Sequence, residues 1–522
     1  MRYRFTQKNI MLSKSYGGTV HGVNALLITI EVSISNGSKF FLVGLPDKAI
    51  QEARYRIASA LKNSSFKMPY KNIVINMAPA DIKKEGAAYD LPIAIGIMSA
   101  SDQVDNTLLQ DYLIMGELSL DGQISAIKGA LPIAILAKEK GYKGIILPKE
   151  NVKEAGIVSG IKVLGFENIF DVVGFLNGTK EVTPYVLDTR KEFYENTDHL
   201  LHDFSDVKGQ ENIKRAMEIG ASGGHNLILI GPPGSGKTML AKRFPSILPP
   251  MTLHEALETT KIHSVAGKLK ESNGLVAQRP FRSPHHTMSD VALIGGGSTP
   301  QPGEVSMAHN GVLFLDELPE FKRAVLEVLR QPLEDRIVSI SRAKFSVTYP
   351  ANLMLIASMN PCPCGYYNHP EKDCICPGGA VQKYLNKISG PLLDRIDLHV
   401  EVTPVSFDEL SDERPAESSI VIRERVIKAR DTQTKRYEKT PTIHSNAQMT
   451  SKNIKEFCVL NDAGKKLLKN AMNKLDLSAR AYDRILKVAR TIADLENSEV
   501  IQTQHLAEAI QFRSLDRDNW AG

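Results

Sequence analysis

Between residues 204 and 410, four continuous apolar runs stand out: HNLILIG, GVLFLDE, NLMLIASMN and DLHVEV. Helical patterns separate them. Apolar runs without polar alternation suit parallel strands covered on both faces, so this stretch predicts an α/β core built on a parallel sheet. Residues 12–175 read differently. ALLITIEVSIS and KNIVINMAP are rich in β-branched residues and predict strands. DKAIQEARYRIASALKNS carries an apolar stripe at helical spacing, and LPIAILAKEKGYKGIILPKEN reads as helix, glycine stop and buried strand. From 411 onward the pattern is helical and charged, as in SSIVIRERVIKARDTQTKRYEK and ARAYDRILKVARTIADLE.

A chain of 522 residues is too long for one core, and about three domains are expected. The predicted division is an extension at 1–10, an α+β domain at 11–177, a polar linker at 178–203, the parallel-sheet core at 204–410 and a helical domain at 411–522. Met11 is an alternative start. The first residues carry positive charge without an apolar stretch behind it, unlike a secretory signal. No apolar run approaches the roughly 18 residues of a membrane-spanning helix. Net charge is +5, which permits an acidic partner without demanding one. Five cysteines and no signal point to a reducing cytoplasm, where a tight cysteine cluster is more often metal-binding or catalytic than disulfide-bonded.

NLILIGPPGSGKTML is strand, glycine-rich loop and helix. Gly231, Pro232, Pro233, Gly234, Ser235, Gly236, Lys237 and Thr238 fit G-x-x-x-x-G-K-[ST] throughout. Such a loop turns backbone N–H groups toward phosphate, its lysine reaches the β- and γ-phosphates of ATP, and its threonine holds Mg²⁺. GVLFLDE comes some eighty residues later and presents Asp316 and Glu317 at a strand end. Asp316 is expected to bind Mg²⁺ through water, and Glu317 to polarise the attacking water. LMLIASMNP ends in Asn360, a polar group placed to orient that water. GPLLDRIDLHV puts Arg395 on a short exposed turn before a strand, where it is expected to reach a neighbour's nucleotide rather than its own. Arg480 opens a helix in LDLSARAYDRIL.

DRIVSISRAKFSVTYP predicts a hairpin of strands 336–341 and 345–349, with Arg342 and Lys344 at the tip. Taken alone, the tip reads equally as a phosphate contact or as a solvated turn. Arg282, His285 and His286, in RSPHHTMSD, fit phosphate contact or a structural loop better than a metal site. Four of the five cysteines, Cys362, Cys364, Cys374 and Cys376, form C-x-C-x9-C-x-C directly after Asn360. Four thiolates close a tetrahedral Zn²⁺ shell, although two intervening residues are the usual spacing. His369 is an alternative ligand; free surface thiols and a disulfide are the other readings. Cys458, alone in a helical region, is expected to pack.

The succession of phosphate loop, FLDE, NPCPCG, LLDRIDL and LSARA resembles the Mg-chelatase-like AAA+ ATPases, and specifically the YifB/ComM family. FRSPHHTMSDVALIGGGSTPQPGEVSMAHNGVLFLDEL and SGPLLDRIDLHVEV are close to that pattern, and the resemblance runs from about Met11 to Arg513. It implies a Lon-protease-like front domain, an AAA+ core with a helix-2 insert shared with MCM helicases, a helical lid, and a homo-hexamer with ATP between subunits. Lys237 and Thr238 are then Walker A, Asp316 and Glu317 Walker B, Asn360 sensor 1, Arg395 the finger and Arg480 sensor 2. Family members are described as DNA helicases driving branch migration during natural transformation, which implies DNA and recombination proteins as partners. In such a ring, six tips bearing Arg342 and Lys344 line a pore. KKEGAAYDLPIAIGIMSA is similar to the Lon segment holding the nucleophilic serine, but Ala87 and Ala88 stand there. Leu131 falls at the lysine position, with Lys128 a few residues early, so the front domain is expected to be a protease scaffold without proteolysis. A protein-remodelling ATPase and a chelatase-type motor subunit are the alternative functions.

Overall fold

Strand Asn24–Ser35 buries Ile28, Ile30, Val32 and Ile34, with the alternate residues less buried. This is the period of a half-buried strand. A tight turn through Gly22, whose φ of +63° suits glycine, returns the chain from Met11–His21 as its antiparallel partner. Asn72–Ala78 pairs on the other side, and Phe40–Val43 completes the four-stranded sheet in parallel with it. A second sheet, all parallel, is made of Tyr112–Ile114, Gly144–Pro148 and Lys162–Phe166. Helix Asp90–Ala100 has every residue buried; it is apolar on every face apart from Ser99 and its first residue, Asp90, whose charge is answered by Arg56 at 2.6 Å. The structure is a computed structural model. It describes residues 11–195, 202–269, 274–297, 300–342, 345–369, 371–405, 416–440, 442–475, 477–513 and 515. The expected extension at 1–10 lies outside them.

The chain forms two compact units, one from the described residues of 1–196 with 253–277, the other from those of 197–252 with 278–522. Both boundaries differ from the sequence expectation. The first part of the expected linker belongs to the front unit: Tyr185 N–H donates to the Val163 carbonyl at 2.8 Å and Phe193 is buried. Residues 253–277, expected inside the core, also fold with the front unit. Helix Leu253–Val265 buries Ala256, Ile262 and Val265, the Ser264 hydroxyl donates to the buried Glu154 carboxylate, and Gly129 N–H donates to the Ser264 carbonyl at 3.2 Å. Glu154 also accepts from Leu131 N–H at 2.8 Å, and burial raises its pKa. A carboxylate that deep is kept by its donors, and one of them comes from the inserted segment. The helical pattern of 253–265 is local; its partner is not.

The second unit is a five-stranded parallel sheet in the order Phe281–Arg282, Val312–Leu315, Met354–Met359, Leu227–Ile230, Leu398–Glu401. All four apolar runs are strands here. The helical end is not separately cored. Ile485, Leu486, Val488 and Ile492 of helix Ala479–Leu495 join Ile213, Met217 and Leu227 in one apolar cluster.

Candidate nucleotide site and cysteine cluster

Strand Leu227–Ile230 runs beside Met354–Met359 with Ile230 opposite Met359, and Leu315 of the next strand lies opposite Ala357. Parallel neighbours in this register discharge their next residues at one edge of the sheet. Gly231, Asp316 and Asn360 therefore converge, as ligand sites in open α/β sheets do. The phosphate loop returns sharply into helix Lys237–Arg243. Gly234 and Gly236 have φ of +79° and +85°, and a Cβ on Gly231 would stand 2.3 Å from the Val402 carbonyl oxygen. Ser235 Oγ donates to the Pro232 carbonyl at 2.9 Å, and Gln210 Nε2 to the Ser235 carbonyl at 2.9 Å.

Lys237 Nζ donates to the carbonyls of Gly231 and Pro232 at 2.7 and 2.9 Å and to Asn360 Oδ1 at 3.2 Å. Burial lowers its pKa, opposed by the charges of Asp316 and Glu317. Thr238 Oγ1 donates to Asp316 Oδ2 at 2.8 Å. This pair of adjacent hard oxygens fits Mg²⁺, which takes few protein ligands and keeps the rest for water and phosphate. The other carboxylate oxygen, Oδ1, accepts from Glu317 N–H at 3.0 Å and from the hydroxyl of Ser358. Glu317 sits in the left-handed region at φ +54°, uncommon for a non-glycine residue. Its Oε2 lies 3.4 Å from His286 Nδ1, and the rings of His285 and His286 lie 4.1 Å apart.

The two arginines are elsewhere. Leu398 lies opposite Leu227, and Asp397 and Leu398 N–H both donate to the Asn226 carbonyl at 3.0 Å. Arg395 is thus at the entry edge of the sheet, and the phosphate loop at the exit edge, roughly 13 Å away along a four-residue strand. Arg480 shares Arg395's edge: its Nη1 lies 3.3 Å from Asp394 Oδ2, and Arg484 on the same helix pairs with Asp397 at 3.0 Å. One expectation is corrected. Arg395 is not on an exposed turn but 7% exposed, donating to the Pro391 carbonyl at 2.6 Å and paired with Glu334. Arg480 is the exposed one.

Hairpin strands Ile337–Arg342 and Phe345–Pro350 pair with Arg342 opposite Phe345; Lys344 lies outside the described residues. Arg282 forks onto Glu304, Nη2 to Oε1 at 2.7 Å, which answers its charge within the chain. Cys458 is buried, as expected. Cys362, Cys364 and Cys374 have Sγ atoms 3.3, 3.6 and 3.7 Å apart, and Cys376 completes a group within 4.8 Å. These separations exceed an S–S bond and approach the ~3.8 Å edge of a tetrahedron with Zn–S near 2.3 Å. His369 is not in the group; its Nδ1 accepts from Glu371 and Lys372 N–H at 3.0 and 3.1 Å. In the front unit Ala88 offers no hydroxyl, and the Lys128 stem lies against Gly267.

Sequence reasoning missed Ser358 as the group that holds Asp316, His286 as the neighbour of Glu317, and Glu334 as the partner of Arg395. Only Ser358 left a sign, a polar residue inside the apolar run LMLIASM.

A parallel sheet with a phosphate loop, an acidic pair and a polar strand tip at one edge defines a P-loop nucleotide-binding protein. Three family descriptions match: "Magnesium chelatase, subunit ChlI" over residues 203–410, "Subunit ChlI of Mg-chelatase" over 30–151 and "Magnesium chelatase, subunit ChlI C-terminal" over 416–513. The chain is 47% identical over 506 residues to "Competence protein ComM" of Haemophilus influenzae, covering 96% of this chain and 97% of that protein. It is 45% identical over 500 residues to "Uncharacterized protein YifB" of Escherichia coli, covering 95% and 96%. It is also 30% identical over 142 residues to "Lon protease 2" of Bacillus subtilis, 26% of this chain and 25% of that one. The chain belongs to the ComM/YifB family of Mg-chelatase-like AAA+ proteins.

Proposed function

We propose that this protein is an ATPase that works as a homo-hexameric ring and couples hydrolysis to movement along DNA, promoting branch migration in recombination during DNA uptake. The observation that carries the reading is the division of the sheet: Lys237, Asp316 and Glu317 at the exit edge, Arg395 and Arg480 at the entry edge. Such a subunit holds one nucleotide and offers its arginines to another. Full-length similarity to a protein named for competence supports the DNA reading. The chelatase alternative draws on the family descriptions, and protein remodelling on the shared ATPase core.

In this reading Lys237 leaves the loop carbonyls for the β- and γ-phosphates. Thr238 and Asp316 would hold Mg²⁺, which would supply charge neutralisation for the phosphate oxygens. Glu317 polarises the attacking water by accepting its O–H, and Asn360 orients it beside the γ-phosphate. Arg395 exchanges Glu334 for a neighbour's γ-phosphate, and Arg480 meets the same nucleotide. Arg342 and Lys344 touch the DNA backbone in the pore. Cys362, Cys364, Cys374 and Cys376 hold Zn²⁺. The setting is cytoplasmic, beside recombination proteins; among the described residues no helix is long and apolar enough to cross a membrane.

The test is ATP turnover without DNA, with single strands and with a four-way junction, alongside a junction-migration assay. Turnover raised by DNA and migration lost in Lys237→Ala are expected. Turnover indifferent to DNA, with no junction movement, refutes the translocase reading.

A further inference from the structure

Residues 360–379 contain no helix or strand among those described. Most of the described residues here are exposed or half-buried, the buried ones being Pro361, Cys362 and Gly365. A segment this poor in apolar burial has little of its own to offset the entropy of ordering. Yet its four thiols are gathered, and the gathering places one backbone atom. Gly365 N–H donates to the Cys362 carbonyl at 3.0 Å, closing the turn that carries the first two cysteines. Gly365 then lies directly on the phosphate loop. A Cβ there would stand 2.5 Å from Pro233 Cδ and 2.9 Å from Cγ, and its φ of +87° is one that residues with a side chain rarely adopt. Pro233 is otherwise exposed. The same segment begins at Asn360, which accepts from Lys237 Nζ at 3.2 Å. The cysteine loop therefore meets the phosphate loop twice, at its apex and at its lysine.

We infer that the four-cysteine loop, closed by a single Zn²⁺, is a brace that sets the position of the phosphate loop, so that metal occupancy controls nucleotide affinity. The ion is mononuclear because thiols 3.3–3.7 Å apart are too close to enclose a cluster of several irons. A soft tetrahedral thiolate set selects zinc over the hard cations. Metal binding supplies the ordering energy that side-chain burial does not. The inference rests on the nucleotide-site reading, since the brace is given meaning by the loop it touches.

The test uses the full untagged chain, measuring zinc content and the affinity for a fluorescent ATP analogue. Wild type is expected to carry about one zinc per chain. Cys374→Ser/Cys376→Ser is expected to lose the zinc and to bind the analogue at least about tenfold more weakly, a change of ~1.4 kcal/mol. Gly365→Ala keeps all four thiols. It is expected to retain zinc yet bind the analogue similarly weakly, because its Cβ displaces Pro233. Gly365→Ala decides the matter if the cysteine variant does not fold. Wild type without zinc overturns the metal site, and wild-type affinity in Gly365→Ala overturns the brace. Normal affinity in Lys237→Ala instead refutes the nucleotide site itself, so the two failures are distinguishable.

Discussion

Arg395→Ala separates a residue that supports the fold from one that completes another subunit's chemistry. The structural loss is small. Glu334 is 58% exposed, and an ion pair with one partner so hydrated contributes about 0–1 kcal/mol. The bond to the Pro391 carbonyl at 2.6 Å adds about 0.5–1.5 kcal/mol. Against a stability of about 5–15 kcal/mol the variant folds. The catalytic loss expected from the proposed role is large: a finger arginine is worth about 1,000- to 100,000-fold in kcat, or ~4–7 kcal/mol. Arg395→Ala is therefore expected to bind ATP as wild type does and to turn over at less than about a thousandth of the rate. The decisive assay mixes Arg395→Ala with Lys237→Ala. Each is expected to be inactive alone; in the proposed ring a mixture would contain sites with an intact Lys237 from one subunit and an intact Arg395 from the next, so activity is expected to reappear. A mixture no more active than its components, or Arg395→Ala alone within tenfold of wild type, refutes the reasoning.

Glu317→Gln keeps the shape of the site and removes the base; nucleotide binding is expected to persist while turnover falls about 100- to 10,000-fold, read by steady-state kinetics. Ser358→Ala removes the hydroxyl that holds Asp316, and the Mg²⁺ concentration for half-maximal turnover is expected to rise about tenfold. The pKa values of His225 and His399 are lowered, first of all by complete burial, opposed in His225 by the hydrogen bond to Asp397 and assisted in His399 by the Arg513 charge. Both stay neutral in the fold below the ~6.5 at which an unfolded histidine takes a proton. Stability is thus present above that pH and is lost as pH falls from ~6.5 toward the folded values, by up to ~1.4 kcal/mol per pH unit per histidine. Thermal melts at pH 7.5 and 5.5 check this, and a pH-independent midpoint contradicts it. Replacing Arg342 and Lys344 by alanine is expected to weaken DNA binding at every sequence and to flatten its salt dependence, measured by fluorescence anisotropy across a salt series.

The core sheet and phosphate loop were legible because their signals are local: the four apolar runs of 204–410 are short and rich in β-branched and large apolar residues, and G-x-x-x-x-G-K-T is contiguous. What escaped lies in pairings distant along the chain. Arg395 looks exposed in LLDRIDL because Glu334, 61 residues earlier, is the group that covers it. Asp316 meets Ser358 across 42 residues. Helix Leu253–Val265 shows no sign in its own residues that Glu154, 110 positions before Ser264, is its anchor. The cysteine spacing named the cluster, and only the fold brought Gly365 to Pro233.

The inserted helix has a practical consequence for cutting the chain. Because residues 253–277 leave one unit and return to the other, a truncation beginning at 204 does not yield a clean ATPase fragment. It strands Ile262 and Val265 in water and deprives Ser264 of its acceptor. Such a fragment is expected to precipitate, and its inactivity would reveal nothing about whether the missing piece takes part in the work.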